Sequence, residues 1–78
     1  MALIRDAQNE WSAPVPLAAA EIWQAREGHV FLTTTAEPES DDGISLTLRD
    51  GIRLAAGLSV RYRKAGNTAA LIAREAVE

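Results

Sequence analysis

A chain of 78 residues with a net charge of -3 is one small domain, because so short a chain cannot support two hydrophobic cores. Its apolar fraction is 47%, but 15 of those residues are alanine, so we expect a thin core of the kind that oligomerisation or docking commonly supplements. The lack of cysteine excludes disulfides and thiolate metal sites, no run approaches the roughly 18 apolar residues of a membrane span, and the net negative charge argues against non-specific nucleic-acid binding.

The N-terminal residues 1–16 have no sustained hydrophobic period and are predicted to form an extended arm. "WSAPVP" places two prolines one residue apart, which favours an extended, polyproline-like backbone. Trp11 on this arm is either a lid over the domain's own core or an anchor in another subunit. The start also lacks the unbroken apolar stretch of a signal peptide, so we expect intracellular synthesis.

The next stretch, "PLAAAEIWQAREG" from Pro16 to Gly28, fits two structures. An early proline, strong helix formers and a glycine past the end predict a helix near 17–27. The same residues also fit a strand that turns at Glu27–Gly28 into Val30–Thr35, which is β-branched and aromatic. We favour this hairpin and keep the helix as the alternative.

The second half of the chain alternates apolar and polar residues with a period of two, which predicts half-buried strands. Glycine-containing turns separate the strands. Several such strands at short spacing predict a small antiparallel sandwich or barrel of about six strands, formed by residues 17–78. The inward positions are Ile44, Leu46, Leu48, Ile52, Leu54, Leu58, Val60 and Tyr62.

The C-terminal segment is also ambiguous, because residues 68–77 fit either a capped helix or a last strand through the core. A helix here and another near 17–27 would make the fold α+β. As a strand, the adjacent Leu71 and Ile72 face opposite sides, so one is internal and the other needs a covering neighbour. That requirement hints at an interface.

Basic residues concentrate after an acidic loop. Arg53, Arg61 and Arg63 have the parity opposite to the core residues, so they are predicted to form one outward face. A solvated face is the leading interpretation, a partner-binding face comes next, and a phosphate-reading site is the least favoured. The acidic loop, "EPESDDG", contains Glu37, Glu39, Asp41 and Asp42.

No pattern in the sequence predicts an enzyme, a metal site or a cofactor. His29 is the only histidine and lies beside a turn glycine, where an exposed structural role is favoured over catalysis. The acidic loop does not match the spacing of a calcium loop. The glycines are scattered through turns and form no phosphate cradle. We therefore expect no catalytic residue, no metal and no cofactor.

The order of these segments resembles that of a group of small virion proteins of tailed phages and prophages. The matching pieces are "EIWQAREGHVFLTTT", "AEPESDDGISLTLRDGIRLAAGLSVRYRKAG" and "NTAALIAREA", which together cover about Glu21 to Ala76. Such proteins have a hairpin, an acidic or alanine-rich loop, an apolar-glycine strand pair and a final hairpin. The resemblance implies a compact β-domain added to heads, tails or fibres, with no catalytic residues to carry over.

The resulting expectation is a non-enzymatic structural or assembly protein, such as a capsid decoration or a head or tail accessory. It would bind its own copies or a larger phage-like assembly, in the virion or, before assembly, in the cytoplasm of a bacterial host. The partner-binding candidates are Trp11, Arg53, Arg61, Arg63 and Lys64. The alternative is a soluble module whose Arg53, Arg61 and Arg63 face binds an anionic ligand or an acidic protein segment.

Overall fold

The computed structural model describes residues 2–39 and 42–77, which form eight strands and no helix. The first sheet has the strand order β1-β8-β3-β6 and the second sheet the order β2-β7-β4-β5, with every pair antiparallel. The all-β prediction is confirmed, with eight strands rather than about six. The strands are β1 (Ala2–Ile4), β2 (Val15–Pro16), β3 (Glu21–Glu27), β4 (Val30–Thr33), β5 (Ile44–Leu46), β6 (Gly51–Leu54), β7 (Ser59–Lys64) and β8 (Leu71–Ala76).

The core lies between the two sheets and follows the alternation of side chains along each strand. Val60 and Tyr62 of β7 are buried while Ser59 is exposed, as the period of two predicts. The largest fully buried side chains come from both sheets, so the layers close on each other; they are Trp23, Leu32, Ile72, Val30 and Val60. Within the described residues, no segment has the length and apolarity of a membrane-spanning helix.

The predicted burial of Ile44 and Leu48 is wrong, because both side chains are exposed while Leu46 between them is buried. Ile44 still lies on the inward side, opposite the buried Leu32. β5 ends at Leu46, so the alternation no longer governs Leu48, which lies in the turn before β6. Ile44 begins β5, the edge strand of the second sheet, where no further strand covers it. The period of two therefore predicts burial only where the strand continues and a second layer lies above it.

The alternative with helices near 17–27 and 68–77 is wrong, because both segments contain strands. Trp23 and Ala25, two residues apart, both have no exposed surface, and Ile72 of β8 pairs directly with Ala25. This burial with a period of two outweighs the helix propensity of the alanine-rich sequence. β8 pairs with both β1 and β3, so it is an internal strand of the first sheet.

The predicted hairpin at Glu27–Gly28 is also wrong, although both of its strands exist. β3 belongs to the first sheet and β4 to the second, so the turn between them passes from one sheet to the other. Gly28 makes this passage at a φ of 72°. A Cβ there would lie 2.7 Å from the carbonyl oxygen of Ala69. The crossing therefore needs glycine for two separate reasons, its backbone angle and its lack of a side chain.

The N-terminal arm is extended and pairs with both sheets. β1 is the edge of the first sheet beside β8, and β2 is the edge of the second sheet beside β7. Between these two strands, backbone hydrogen bonds join Lys64 N to Gln8 O at 2.7 Å and Ser12 N to Tyr62 O at 2.9 Å. The arm thus crosses from one sheet to the other. Pro16 in β2 cannot donate a hydrogen bond, which suits an edge strand.

An ion pair packs against Trp23 at one margin of the core. Two nitrogens of Arg74 donate to the two carboxylate oxygens of Glu21 at 2.8 Å each, and Trp23 Nε1 donates to Glu21 Oε1 at 3.0 Å. The Arg74 guanidinium also lies 5.2 Å from the centre of the Trp23 ring. The hydrogen bond from Arg74 lowers the pKa of Glu21, although burial opposes the shift. The buried indole N–H therefore has a partner, as buried polar groups require.

Tyr62 links the core to the arm. Its ring is buried 6.2 Å from that of Trp23, and its hydroxyl donates to Asp6 Oδ1 at 2.6 Å. Burial, together with the hydrogen bond to Asp6, raises the pKa of Tyr62 to about 12. Because this is the only tyrosine in the chain, its ionisation can be observed directly.

We expect Gly28→Ala to destabilise the fold more than Gly66→Ala. Both glycines have nearly the same backbone angle, with φ values of 72° and 69°, so alanine costs about 1–2 kcal/mol of conformational strain at either position. Only at Gly28 does the methyl group meet a backbone oxygen, which adds about 1–3 kcal/mol of overpacking. Chemical denaturation of the two variants gives the free energies of unfolding. Equal losses would contradict the close approach of Ala69.

The absorbance of the tyrosinate should appear with a midpoint near pH 12 rather than at the ordinary pKa of 10.0. Because the folded state raises this pKa, stability is unaffected below about pH 10 and falls as the pH rises towards 12. Asp6→Asn should lower the midpoint but leave it above 10, because burial remains. A midpoint near 10 in the folded protein, with circular dichroism unchanged, would show that Tyr62 is exposed.

Candidate interaction surfaces

The basic strand β7 presents its arginines on the outer face of the second sheet. Arg63 is the cross-strand partner of Phe31, and Arg61 is that of Thr33. Cross-strand partners share a face, so these side chains lie opposite the buried Val60 and Tyr62. Both arginines are half-buried because the N-terminal arm passes over them.

Arg63 is stacked between two aromatic side chains. Its guanidinium carbon lies 4.2 Å from the centre of the Phe31 ring and 5.2 Å from that of Trp11. The indole N–H of Trp11 donates to the carbonyl oxygen of Glu39 at 2.7 Å. Cation–π contacts of this kind contribute about 0.5–1 kcal/mol at partly exposed sites. We call Trp11, Arg63 and Phe31 the Trp11 stack.

The two interpretations of Trp11 are resolved in part by its position. Trp11 packs on the outer face of its own second sheet, and its ring lies where a Cβ on Gly43 would come within 2.9 Å. It therefore covers Arg63 rather than the hydrophobic core. The arm is further tied by Arg61 Nη1, which donates to the carbonyl oxygen of Ser12 at 2.9 Å. Lys64, at the end of β7, binds the arm through its backbone.

The prediction that Arg53, Arg61 and Arg63 form one outward face is wrong. Arg53 is in β6 of the first sheet, whereas Arg61 and Arg63 are in β7 of the second. All three point outward, but they do so on opposite sides of the sandwich. The error arises because parity specifies inside or outside and carries no information on which sheet a strand joins. A single site for an anionic ligand built from all three arginines has no geometric basis.

His29 packs against Phe31 and is not grouped with the described carboxylates of the acidic loop as a metal-binding cluster. His29 is half-buried rather than exposed, with its ring 4.9 Å from that of Phe31 and Nε2 hydrogen-bonded to Ser45 Oγ at 2.5 Å. Within residues 2–39 and 42–77, no three His, Asp or Glu side chains are grouped to bind a metal ion. Asp41 of the acidic loop lies outside the described residues.

The outer face of the first sheet carries a surface that the sequence patterns did not reveal. We define it by side chains that are cross-strand partners on the side away from the core. Ile22 is 47% exposed and Leu3 is 39% exposed, and Leu48 lies nearby beside Gln24. The residues of this face are Leu3, Ile22, Gln24, Gly51, Arg53, Ala73 and Glu75. Ile22 could have been identified from its parity opposite Trp23.

Two concavities mark this face. One, of about 170 Å³, lies over Gly51 and Ala73, where short side chains leave a depression beside Ile22. The other, of about 480 Å³, is lined by Gln24, Leu48 and Leu71 among others. The prediction that Leu71 and Ile72 face opposite sides is confirmed, since Ile72 has no exposed surface while Leu71 lines the outer concavity.

A third concavity opens between the two sheets, beside β5 and β6. It has a volume of about 220 Å³ and a mostly apolar lining. Ile44 lies at its opening and is 45% exposed. Ligand pockets are commonly about 300–1,000 Å³, so this cleft is small for one. Its lining residues include Leu32, Thr33, Ile44, Ile52, Leu54 and Val60.

A scan against protein-family models and searches among the curated proteins and the solved structures found no match to this chain.

A double-mutant cycle should detect the contact between Trp11 and Arg63. We expect Trp11→Ala and Arg63→Ala to be coupled by about 0.5–1 kcal/mol in the free energy of unfolding, because each removes the other's stacking partner. The matched control is the cycle of Trp11→Ala with Arg53→Ala, on the opposite side of the sandwich, which should be additive. Additivity in both cycles would mean that the Trp11 stack contributes no energy in solution.

Proposed function

We propose that this protein is a non-enzymatic structural module that binds neighbouring protein subunits through the outer face of the first sheet. One observation carries the proposal. The described residues contain four large, exposed hydrophobic side chains, and three of them, Leu3, Ile22 and Leu48, lie on or beside this face. Apolar side chains gathered on one face of a small domain mark an interaction surface, whereas scattered ones need no explanation.

Because the hydrophobic core is small, such a module would be stabilised by binding a partner. Among the described residues, the largest fully buried side chains are Trp23, Leu32, Ile72, Val30 and Val60, and the small Ala25 and Ala70 occupy further core positions. A domain of this size has a small margin of stability. Binding a partner only in the folded state raises that stability. Docking on a larger assembly therefore supports the fold as well as the function.

The surroundings of the face also suit a protein partner. Arg53 and Glu75 flank Ile22 in neighbouring strands, so a charged rim borders the apolar centre. An apolar centre with a polar rim is the usual anatomy of a protein–protein interface. The other outer face is less suited, because the arm covers Arg63 with Trp11 and binds Arg61 through Ser12.

The finer proposal concerns the assembly. The resemblance to small virion proteins of tailed phages and prophages suggests a phage-like particle, with the chain as a decoration or as a head or tail accessory. No catalytic chemistry is needed for such a role. The exposed apolar face would then bind the lattice of the particle or a neighbouring copy on it.

Quantitative mass spectrometry of purified particles tests this function. We expect the chain to co-purify with particles from cells that encode it, in many copies per particle. Ile22→Glu should reduce the incorporated copies at least about tenfold, because burial of one isoleucine contributes about 1.5–3 kcal/mol. Ile44→Glu is the matched control. It makes the same change at an equally exposed isoleucine on the other sheet, and incorporation should be retained.

Two results would contradict the proposal. The first is a wild-type chain that remains with soluble proteins when intact particles sediment. The second is equal incorporation of the Ile22→Glu and Ile44→Glu variants, with both shown by circular dichroism to be folded. The first result would refute the proposed role as a particle component. The second would refute the outer face of the first sheet as the binding surface.

A further inference from the structure

Three side chains form a row across the outer face of the first sheet. Ile22 of β3 is the direct cross-strand partner of Arg53 in β6 and of Glu75 in β8. Neighbouring strands lie about 4.8 Å apart, so the two charged residues stand roughly 10 Å apart with Ile22 midway between them. The Glu21–Arg74 ion pair involves neither of these two charged residues, and both Arg53 and Glu75 are exposed.

The next row on the same face consists of short side chains around a fixed amide. Gln24 is the cross-strand partner of Gly51 on one side and of Ala73 on the other. Its Nε2 donates to the carbonyl oxygen of Arg49 at 3.1 Å, and its Oε1 accepts from Arg26 Nε. Because Gly51 has no side chain and that of Ala73 is short, the surface of the sheet is recessed on both sides of β3. A second sheet could approach Gly51 and Ala73 closely, while the long side chain of Arg26, which lines the same concavity, would have to turn aside.

We propose that two copies of this chain form a two-fold symmetric dimer through the outer face of the first sheet, with Arg53 of each copy facing Glu75 of the second. This inference rests on the proposed function, because it names the partner of the same face. Ile22 would lie on the two-fold axis and pack against Ile22 of the second copy.

The charges select the direction of the axis. A two-fold axis that runs along β3, between the copies, brings β6 of one copy over β8 of the second. Arg53 then faces Glu75 twice, and Gly51 faces Ala73 twice. An axis that runs across the strands would instead place Arg53 over Arg53 and Glu75 over Glu75, which is repulsive. The row is self-complementary in one orientation only, as an isologous interface requires.

The packing of such a dimer follows that of ordinary stacked sheets. Two sheets pack face to face at about 10 Å with their strands aligned to within about 30°. Ile22 supplies the apolar centre, and the Arg53–Glu75 pairs border it on both sides. Leu3, the cross-strand partner of Ala73, lies on β1, one strand outside the three strands that face each other. The charged pairs give orientation, while the apolar centre gives affinity.

Charge reversal tests the pairing between copies. Arg53→Glu places two carboxylates opposite each other, and Glu75→Arg places two guanidinium groups opposite each other. Each single variant should therefore dimerise at least about tenfold more weakly than the wild type. In an equimolar mixture of the two single variants, the acid introduced at position 53 of one copy faces the base introduced at position 75 of the other, and the native Glu75 faces the native Arg53. Mixing should therefore restore dimerisation.

The doubly reversed chain, Arg53→Glu with Glu75→Arg, should dimerise again, since each new acid faces a new arginine on the second copy. Its dissociation constant should return to within about threefold of the wild-type value. Weakening by each single reversal, with rescue both by mixing and by the double reversal, is the signature of a pair in which position 53 of one copy faces position 75 of the second. Analytical ultracentrifugation of the wild type up to about 1 mM detects even a weak dimer.

The isoleucine variants test the apolar centre. Ile22→Glu should abolish dimerisation, and the matched Ile44→Glu variant should retain it. A wild type that is monomeric at 1 mM, a dimer that both isoleucine variants disrupt equally, or a doubly reversed chain that stays monomeric would overturn the proposed pairing.

The experiment separates this inference from the proposed function. If the wild type stays monomeric while Ile22→Glu still prevents incorporation into particles, the face binds a different protein and the dimer is refuted. If the charge-reversal variants behave as expected for the dimer but the chain does not sediment with particles, the proposed dimer is supported and the proposed role in a particle is refuted.

Discussion

The structure depends on a single layer of side chains shared by two facing sheets. Trp23 and Ile72 of the first sheet and Leu32 and Val60 of the second are almost fully buried. Each strand can contribute only every second residue to this layer, so the others must face outward. With so few large residues inside, the outward side chains carry a large share of the interactions that position the rest of the chain.

The arm illustrates how outward residues are used. Arg63 would be an ordinary solvated cation on the second sheet, yet Trp11 covers one side of it and Phe31 the other. Tyr62, on the inward side of the same strand, reaches Asp6 of the arm through its hydroxyl. β7 therefore holds the arm from both of its faces. The segregation of charge along the sequence serves, at least at Arg61 and Arg63, to order the chain's own N-terminal segment.

The first sheet has no such cover over its outer face within the described residues. Its centre is Ile22, with Gly51 and Ala73 as low points and opposite charges on either side. A surface of this kind gains from contact with another surface more than from contact with water. The same arrangement supports both the assembly role and the two-fold pairing, because a row with unlike charges on the two sides of an apolar centre is complementary to itself.

The sequence by itself determined which residues of β7 face inward, because burial on one side of a continuous strand repeats locally every two residues. Val60 and Tyr62 inside and Arg61 and Arg63 outside follow from that period alone. Only the tertiary structure decided where each strand ends and which sheet it joins. That choice separated Arg53 from the other arginines, made the turn after β3 a crossing rather than a hairpin, and placed an exposed isoleucine between unlike charges. Strands pair through backbone hydrogen bonds between residues that are far apart in the sequence. Because the backbone donor and acceptor groups are the same in nearly every residue, the local sequence does not specify which strands pair.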